Sequence, residues 1–463
     1  MIPFDGKSLR HGIGRGLALA AMLALAFDMN VRGASPAFPL NISASHRFLE
    51  DQHGRPFLYH ADTPWLLFFR PTLAEVDFYL TDRKNKGFTT LQLQLLAYRE
   101  KLADAEGEFP LHDLNDLATP NDKFFRRVER IMDQATTQGF YLSIAPAWLG
   151  CCEGSWRKIL QANGPAKCRE FGRYLGRRFA RFQNVMWILG GDIDPGEFMP
   201  LVRALAEGLK ETAPHQLLTA HPGSPMSALQ VYGGEPWLDV NCTYTYSPDI
   251  TSVGRPQFHV YAACLADYHR TPVKPFVLLE TAYENERHSR PQVVRRQAYW
   301  AYLSGACGHA LGNLPIYTMD PGWKEALQQP GSRDMAHLAT LFASLTWSRL
   351  LPDQKHEWVV AGYGTFDGNA GKSDQHASGF DYVAAAADPA GSLLLAYLPT
   401  GEAVTVDLSR MKGTIRARWF DPTSGQFSQA TPGTSDDKVR SKLKPPGKNA
   451  TGDPDWVLVV RGE

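Results

Sequence analysis

Val185-Met186-Trp187-Ile188-Leu189-Gly190-Gly191-Asp192 is an apolar run that two glycines interrupt and a carboxylate ends. A second such run, Pro275-Phe276-Val277-Leu278-Leu279, ends on Glu280. Short, continuously apolar runs are typical of strands that are buried on both faces, as in a parallel sheet. The carboxyl ends of barrel strands meet at one rim, so the two runs predict that Asp192 and Glu280 face a common cleft.

The chain on either side of these runs alternates between helical and strand patterns. A capping box of Thr72 and Glu75 begins one helix, Gly87 ends it, and a strand follows directly. Asn121 begins another helix, which a glycine ends in the same way. Eight such units over about 300 residues predict an α/β fold, a (β/α)8 barrel that spans residues 40–350. The predicted strands are 57–62, 89–94, 141–146, 185–189, 217–221, 238–244, 274–280 and 309–313.

The C-terminal part of the chain has a different pattern. From Pro352 the helical period gives way to short β runs such as 393–397 and 456–460, which glycine, proline, aspartate and serine residues separate. Many short strands at regular spacing predict a small antiparallel β-sandwich. We therefore assign residues 352–463 to an accessory β domain that follows the barrel.

The N-terminus has the pattern of a secretory signal. Basic residues between Lys7 and Arg15 precede the apolar residues 16–27, and small residues follow at 33–35. About twelve apolar residues are fewer than a bilayer-spanning helix needs, although a membrane anchor is the alternative interpretation. We therefore predict a signal peptide over residues 1–35, a secreted or periplasmic protein, and no stable membrane insertion after cleavage.

The composition narrows the range of partners. The 463 residues are 44% hydrophobic and 21% charged, and their formal net charge is zero. A chain without a basic excess is not expected to bind nucleic acid. The six cysteines include no Cys-x-x-Cys pair, which argues against a zinc site of that type, and we predict no metal and no cofactor. Export would allow one disulfide among Cys151, Cys152 and Cys168, and the other three cysteines are expected to be buried thiols.

Polar and aromatic side chains gather at the predicted ends of the barrel strands. Residues inside barrel strands are normally bulky and apolar, so this set predicts that the rim binds a polar ligand. The alternative is that strand ends are polar only because they continue into loops. The set comprises Asp62, Gln94, Trp148, Asp192, His221, Tyr244, Tyr246, Glu280 and Asn313.

Asp192 and Glu280 are the residues of this set that suit cleavage of a bond between sugars. Hydrolysis of a glycosidic bond needs an acid that protonates the leaving oxygen and a carboxylate that acts as nucleophile or base. Glu280 ends an apolar run, where burial would tune its carboxyl group. Gly190-Gly191 would let a substrate approach the backbone beside Asp192. Glu284 follows on the same loop and is the alternative to Glu280.

Seven blocks of sequence occur in a characteristic order. They are His60-Ala61-Asp62-Thr63-Pro64-Trp65, Lys86-Gly87-Phe88, Pro120-Asn121 with Phe124-Phe125, Trp187-Ile188-Leu189-Gly190-Gly191-Asp192, His221-Pro222, Glu280-Thr281-Ala282-Tyr283-Glu284 and Gly305-Ala306-Cys307-Gly308-His309. Together they resemble the apiosidase-like glycoside hydrolase family, family 140, over residues 45–350. The C-terminal region is similar to the small β domain, described as collagen-binding, that often follows that catalytic barrel.

The resemblance implies a (β/α)8 hydrolase that acts on plant cell-wall polysaccharide, with Asp192 as acid/base and Glu280 as nucleophile. It also implies that Asp62, Trp65 and His221 line the sugar subsite. The remaining candidate binding residues are Gln94, Trp148, Tyr244, Tyr283, Glu284 and Asn313. We expect the enzyme to remove a terminal furanosyl, apiose-like sugar from pectic side chains, so its partner is an oligo- or polysaccharide.

One departure from the family pattern bears on specificity. Where family members have a Gln-Ser-Gly-His-like stretch after strand six, this chain has Thr243-Tyr244-Thr245-Tyr246. That loop would touch the substrate, so the identity of the sugar stays open.

Two other functions are compatible with the same barrel. His60, His221 and His309 lie at predicted strand ends, as metal ligands would, but strand one has His-Ala-Asp in place of a compact His-x-His motif. The second alternative is a non-catalytic carbohydrate-binding barrel, against which the two rim carboxylates argue. Activity in excess chelator would dismiss a metal-dependent hydrolase, and sugar binding without release would favour the binding protein.

Overall fold

Eight parallel strands form the central sheet of the protein. A computed structural model describes residues 35–98, 102–150, 156–248, 255–287, 289–371, 378–431 and 439–462. The strands are β1 (Tyr59–Asp62), β2 (Thr90–Gln94), β3 (Tyr141–Ala145), β4 (Val185–Gly190), β5 (Leu217–His221), β6 (Asn241–Tyr244), β7 (Phe276–Glu280) and β8 (Gly308–Leu311). Their hydrogen-bonded order is β5-β4-β3-β2-β1-β8-β7-β6, so strands that follow each other in sequence are neighbours in the sheet, except β5 and β6.

The sheet closes almost completely into a barrel. β5 and β6 stand at the two ends of the order. At this seam the Val240 amide donates to the Leu218 carbonyl at 3.2 Å, and the Thr219 hydroxyl donates to the Val240 carbonyl at 2.8 Å. The helices are α1 (Leu73–Asn85), α2 (Asp122–Thr137), α3 (Arg157–Phe179), α4 (Met199–Thr212), α5 (Ala228–Tyr232), α6 (Val260–Tyr268), α7 (Pro291–Leu303), α8 (Trp323–Ala326) and α9 (Pro330–Ala343). The prediction of a (β/α)8 barrel is confirmed.

The helix boundaries follow signals in the sequence. The Glu75 amide donates to the Thr72 hydroxyl at 3.3 Å, and the Glu75 carboxylate accepts from the Thr72 amide at 2.8 Å, which completes the predicted capping box. Asn121 caps α2 by accepting a backbone N–H of its first turn at 3.1 Å. The sequence pattern predicts a closing helix over residues 335–347, but this helix, α9, begins at Pro330, because a proline at the first helical position needs no partner for its nitrogen.

Two antiparallel sheets follow the barrel, as predicted. The larger has the order β9-β11-β12-β17-β14-β15 and the smaller the order β10-β13-β16. Their strands are β9 (Leu351–Pro352), β10 (Val359–Ala361), β11 (Ala384–Ala387), β12 (Leu393–Leu398), β13 (Val404–Asp407), β14 (Ile415–Phe420), β15 (Phe427–Gln429), β16 (Arg440–Leu443) and β17 (Trp456–Gly462).

β12, inside the larger sheet, is buried on both faces. Along β12, Leu393, Leu395 and Tyr397 belong to the hydrophobic core of the barrel. Leu394 and Ala396, which alternate with them, pack in a second core with residues of the smaller sheet. Successive side chains of a strand point to opposite faces, so a strand between two cores is continuously apolar. The C-terminal sheets are therefore joined to the barrel by a shared hydrophobic core.

The described cysteines are reduced and buried. They are Cys168, Cys242, Cys264 and Cys307. The last three agree with the prediction of buried thiols. The expectation that Cys168 could join a disulfide is wrong: Cys168 is a free thiol, and its sulfur lies 3.8 Å from the Leu160 carbonyl oxygen. Cys151 and Cys152 lie outside the described residues.

The predicted signal peptide, apart from Ser35, also lies outside the described residues. Within the part of the chain that the structure describes, no helix is both long enough and apolar enough to cross a membrane.

Candidate active site

Asp192 follows β4 on an unusual backbone path. Gly190, Gly191 and Asp192 all have positive φ, at 83°, 135° and 46°. A Cβ on Gly191 would lie 2.6 Å from the Trp148 indole, so only glycine lets that ring pack against the backbone. The Trp148 Nε1 donates to Asp192 Oδ2 at 3.2 Å. Gly191 therefore makes room for a protein side chain, which corrects the expectation that it exposes the backbone to substrate.

Glu280 is the last residue of β7, and hydrogen-bond donors surround its carboxylate. Tyr246 donates its hydroxyl to Oε1 at 2.6 Å. The Tyr244 hydroxyl oxygen lies 3.1 Å from Oε1 and 3.0 Å from the Tyr246 hydroxyl oxygen, so its one hydrogen can serve either acceptor. His221 Nε2 lies 3.3 Å from Oε2. These contacts favour the ionised carboxylate, because each donor stabilises a negative oxygen.

Asp192, His221 and Glu280 form a compact group at the carboxyl ends of β4, β5 and β7. One oxygen of each carboxylate and one ring nitrogen of His221 all lie within 4.8 Å of one another. The His221 Nδ1 is 3.6 Å from Asp192 Oδ1. The two carboxylates, distant in sequence, therefore share one end of the barrel, which is where barrel enzymes carry their chemistry.

The surroundings shift the pKa values of the two carboxyl groups in opposite directions. Burial, and then the negative charge of Glu280, raise the pKa of Asp192 to about 6. Burial alone would raise the pKa of Glu280, but the hydrogen bond and charge of His221 and the two tyrosine hydroxyls lower it below its usual value. Two carboxyls whose pKa values diverge can supply one proton donor and one anion at the same pH.

His221 holds a position between the two carboxylates. Its side chain is fully buried between the rings of Trp148 and Tyr244, at centroid distances of 4.9 Å and 4.5 Å. Burial lowers the pKa of His221, yet the hydrogen bond to Glu280 and the charge of Asp192 outweigh burial and raise it. The raised pKa favours the protonated imidazole, whose charge balances part of the negative charge of the pair.

Aromatic side chains lie next to the carboxylate group on the side of Asp192. Trp65 and Trp148 lie 5.3 Å apart between ring centroids, and the Trp65 Nε1 donates to the Tyr283 hydroxyl at 2.9 Å. Aromatic faces beside buried carboxylates suit the apolar face of a sugar ring. The structure thus brings Trp65, Trp148, His221, Tyr244 and Tyr283 together with Asp192 and Glu280.

Two predicted binding residues make internal contacts instead. Asp62 is fully buried, accepts from the Tyr79 hydroxyl at 2.6 Å and forms an ion pair with Arg83 at 3.1 Å. Gln94 accepts the Tyr98 amide at 2.9 Å. Buried ion pairs of this kind orient neighbouring elements, here β1 and α1. The contacts of Asp62 and Gln94 do not join them to the carboxylate pair, and their roles in binding stay predictions.

Glu284 and Asn313 form a separate buried group. Glu284 accepts the Gly331 amide at 2.8 Å and the Asn313 side-chain amide at 2.7 Å. Gly331 lies in the first turn of α9, where a carboxylate satisfies unpaired amides and faces the positive end of the helix dipole. Asn313 also donates to Gln329 at 2.9 Å. Both oxygens of Glu284 are therefore engaged in capping and packing, whereas Glu280 faces Asp192.

Tyr246 belongs to the predicted polar set at the strand ends, although it was not among the candidate binding residues, and it lies at the site. Arg287 lies there too and was not predicted. Tyr246 makes the shortest hydrogen bond to Glu280, and the Arg287 guanidinium carbon is 4.6 Å from the Tyr246 ring centroid. The Tyr-x-Tyr spacing was a usable signal, since alternate residues of an extended chain point to one side. No local pattern marks Arg287, because its contact depends on a loop after β7.

The three histidines of the metal-site alternative do not form one cluster: His60 and His309 are register partners on β1 and β8, and neither is grouped with His221. His60 is buried, and its ring stacks on Phe88 at a centroid distance of 4.8 Å. Burial lowers the pKa of His60 to about 4 and that of His309 to about 3, so both are neutral. Among the described residues, the one group with the types and spacing of metal ligands is Asp192, His221 and Glu280. His60 and His309 are not part of it.

Comparisons with known proteins identify the families that the two parts of the chain match. Residues 43–349 match the family model described as "Apiosidase-like, catalytic domain". Residues 372–461 match the model "Putative collagen-binding domain of a collagenase". No curated protein matches the chain.

Solved structures share the whole fold. A glycoside hydrolase of family 5 from Bacteroides vulgatus aligns with a TM-score of 0.78 and 23% identity, over 91% of this chain and 93% of its own. A second protein, described only as a glycoside hydrolase, aligns with the same TM-score and identity over 92% of this chain and 97% of its own. At this identity the likeness shows the fold, and the family model covers more than half of the chain. The chain therefore belongs to the apiosidase-like catalytic-domain family and is a glycoside hydrolase.

Proposed function

We propose that this glycoside hydrolase is exported and removes a terminal furanosyl, apiose-like sugar from pectic side chains, with Asp192 and Glu280 as its catalytic pair. The observation that carries the catalytic assignment is the carboxylate pair within 4.8 Å at one end of the barrel, with pKa values shifted apart. The sugar and the pectic context rest on the family resemblance, and export rests on the signal-like N-terminus.

The first half of the reaction uses both carboxyl groups. Glu280, ionised, attacks the anomeric carbon while Asp192 donates its proton to the glycosidic oxygen, so the carbon–oxygen bond breaks and the leaving alcohol departs neutral. The sugar is then joined to Glu280 as an ester. Tyr246 and His221 release part of their hydrogen bonding as the charge on Glu280 is consumed.

The second half restores the enzyme. Asp192, now ionised, takes a proton from a water molecule that attacks the anomeric carbon, and Glu280 leaves as a carboxylate. Retaining enzymes hold their carboxyl groups about 5–5.5 Å apart, whereas inverting enzymes leave about 6.5–9.5 Å for the water. Oxygens within 4.8 Å of each other favour the retaining mechanism.

Release of the sugar is the direct test. Incubation of the full chain with branched pectic fragments, followed by chromatography, should show one released monosaccharide, whose anomeric form by early-time NMR matches that of the substrate. A Glu280→Gln sample serves as the blank. Binding of the fragments without any released sugar would favour the non-catalytic alternative, and an inverted anomer would contradict the retaining mechanism.

The rate should fall at high pH because Asp192 must be protonated to act as an acid. Its raised pKa, about 6, means that kcat/KM for an unactivated glycoside should drop about tenfold per pH unit above that value. Ionised Glu280, with its lowered pKa, sets the acidic limb. With an aryl glycoside whose leaving group needs no proton, the alkaline limb of kcat should flatten. A profile for the unactivated glycoside that stays level to pH 8 would refute this role of Asp192.

A metal-dependent hydrolysis is an alternative mechanism, because the three residues of the site could also bind a metal ion. Asp192, His221 and Glu280 have the ligand types that zinc accepts. In the proposed mechanism no step uses a metal, so we expect the rate after prolonged dialysis against EDTA to equal the untreated rate. Loss of activity that added zinc restores would favour the metal-dependent alternative.

A further inference from the structure

Tyr246 makes the shortest hydrogen bond to Glu280, yet it lies beyond the end of β6 at Tyr244. Its backbone is held by two buried glutamine side chains. Gln257 Oε1 accepts the Tyr246 amide at 3.1 Å, and Gln297 Nε2 donates to the Tyr246 carbonyl at 3.3 Å. Both glutamines are no more than 1% exposed. Both backbone groups of Tyr246, its N–H and its carbonyl, are therefore hydrogen-bonded to side chains, although the residue lies in a loop.

Gln257 is attached to the C-terminal domain. The Gln257 backbone N–H donates to the Gly371 backbone carbonyl at 2.8 Å, and the Gly371 backbone N–H donates to the Gln257 backbone carbonyl at 2.9 Å. Gly371 lies between β10 and β11, within the segment that links the two C-terminal sheets. The reciprocal pair is a short antiparallel bridge, which fixes the position of the Gln257 backbone in two directions.

Gln297 is attached to the same domain through its helix, α7. Arg295, 1% exposed, donates to both oxygens of Asp455 at 2.8 Å and 2.7 Å. The Trp300 Nε1 donates to the Tyr382 carbonyl at 3.1 Å. Bidentate arginine–carboxylate pairs set orientation as well as distance. The helix that carries Gln297 is therefore seated against the C-terminal sheets on either side of that residue.

We propose that the C-terminal domain is part of the framework of the active site: through Gly371 and α7 it fixes Gln257 and Gln297, which position the Tyr246 hydroxyl on Glu280. This inference rests on the proposed role of Glu280. Gln257 and Gln297 touch neither carboxylate and act as positioning residues. The strength of a hydroxyl–carboxylate hydrogen bond falls steeply when donor and acceptor are misaligned. A displaced Tyr246 backbone therefore weakens the stabilisation of the ionised nucleophile, Glu280.

The test is Gln257→Met in the full chain, a change that keeps the side-chain length and removes the acceptor for the Tyr246 amide. We expect kcat to fall about tenfold with KM near the wild-type value, and the acidic limb of kcat/KM to move up by about one pH unit. The titratable groups that interact with Glu280 through charge or hydrogen bonds are Asp192, His221, Cys242, Tyr244, Tyr246, Tyr283, Glu286, Arg287 and Tyr317. This substitution changes none of them.

A double-mutant cycle separates positioning from general destabilisation. Once Tyr246→Phe has removed the hydroxyl, adding Gln257→Met should cost no further activity, because both changes remove the same hydrogen bond to Glu280. Gln216→Met is the matched control: Gln216 is also buried and binds Trp187 at 2.7 Å, and its substitution should lower the melting temperature without moving the acidic limb. Equal losses from Gln257→Met in the wild-type and Tyr246→Phe backgrounds would overturn the inference.

The part played by the C-terminal domain has its own pair of variants. Gly371→Pro removes the amide that donates to Gln257, and Gly371→Ala keeps it. We expect the proline variant to move the acidic limb of the kcat/KM profile to higher pH, as Gln257→Met does, and the alanine variant to leave it in place. Equal profiles for the two would overturn the role of the domain. If Glu280→Gln is itself active, the proposed function fails; if it is inactive and Gln257→Met keeps the wild-type limb, only this inference fails.

Discussion

Replacing Glu280 with glutamine should abolish turnover, with kcat lowered by about 10⁴-fold or more, which corresponds to about 5 kcal/mol of lost transition-state stabilisation. The amide cannot form the ester with the sugar, and it brings no charge to face His221. The fold should survive, since the amide oxygen can still accept the Tyr246 hydroxyl. The measurement is kcat on pectic fragments or an aryl glycoside, with circular dichroism and melting temperature as checks of folding.

Glu284→Gln is the matched control for that experiment. It makes the same chemical change four positions along the chain, at a side chain that caps α9. An amide NH2 there would face the Asn313 NH2 group in place of an acceptor, so we expect stability to fall by about 1–3 kcal/mol while kcat stays near wild type. An active Glu280→Gln with an inactive Glu284→Gln would reverse the assignment of the two glutamates.

Replacing Asp192 with alanine should lower kcat by an amount that depends on the leaving group of the substrate. For a natural glycoside, whose leaving oxygen needs a proton, we expect kcat to fall by about 10²–10⁴-fold. An aryl glycoside with a good leaving group should still react with Glu280, because that step needs no acid. Its sugar ester should then accumulate, since no base activates water, and a burst of released phenol measured by stopped-flow absorbance would reveal it.

Azide provides the control for the Asp192→Ala variant. A small anion can enter the space left by the carboxylate and attack the anomeric carbon without needing a base. We expect azide to restore steady-state turnover of the aryl glycoside and to yield a glycosyl azide of retained configuration. A variant that loses natural and activated substrates equally, with no response to azide, would show that Asp192 is not the acid/base.

The barrel was predictable because its signals are local. Capping residues such as Thr72, glycines such as Gly87 and continuously apolar runs mark where helices and strands begin and end. Parallel strands that alternate with helices have few possible arrangements, so recognising the elements was nearly enough to derive the topology. Boundaries were less certain, as the early start of α9 at Pro330 illustrates, because the last turn of an element depends on its neighbours.

The site was predictable only in part. Asp192, His221, Tyr244 and Glu280 could be expected at one rim, since strand ends share it. Asp62 also lies at a strand end, yet its carboxylate is turned toward Arg83 and is fully buried. Which way a strand-end side chain turns depends on partners far away in sequence, and no local pattern reports them.

By itself, the sequence determined the barrel, the family and the placing of two carboxylates at strand ends, because all three follow from residue types at short spacing. Only the tertiary structure decided which carboxylates are available: Glu284 caps a helix, whereas Glu280 faces Asp192. It also decided the split in their pKa values and the support of Tyr246 by Gln257 and Gln297. The physical reason is that burial and charge–charge distance are properties of the folded chain, and both act between residues that the sequence keeps apart.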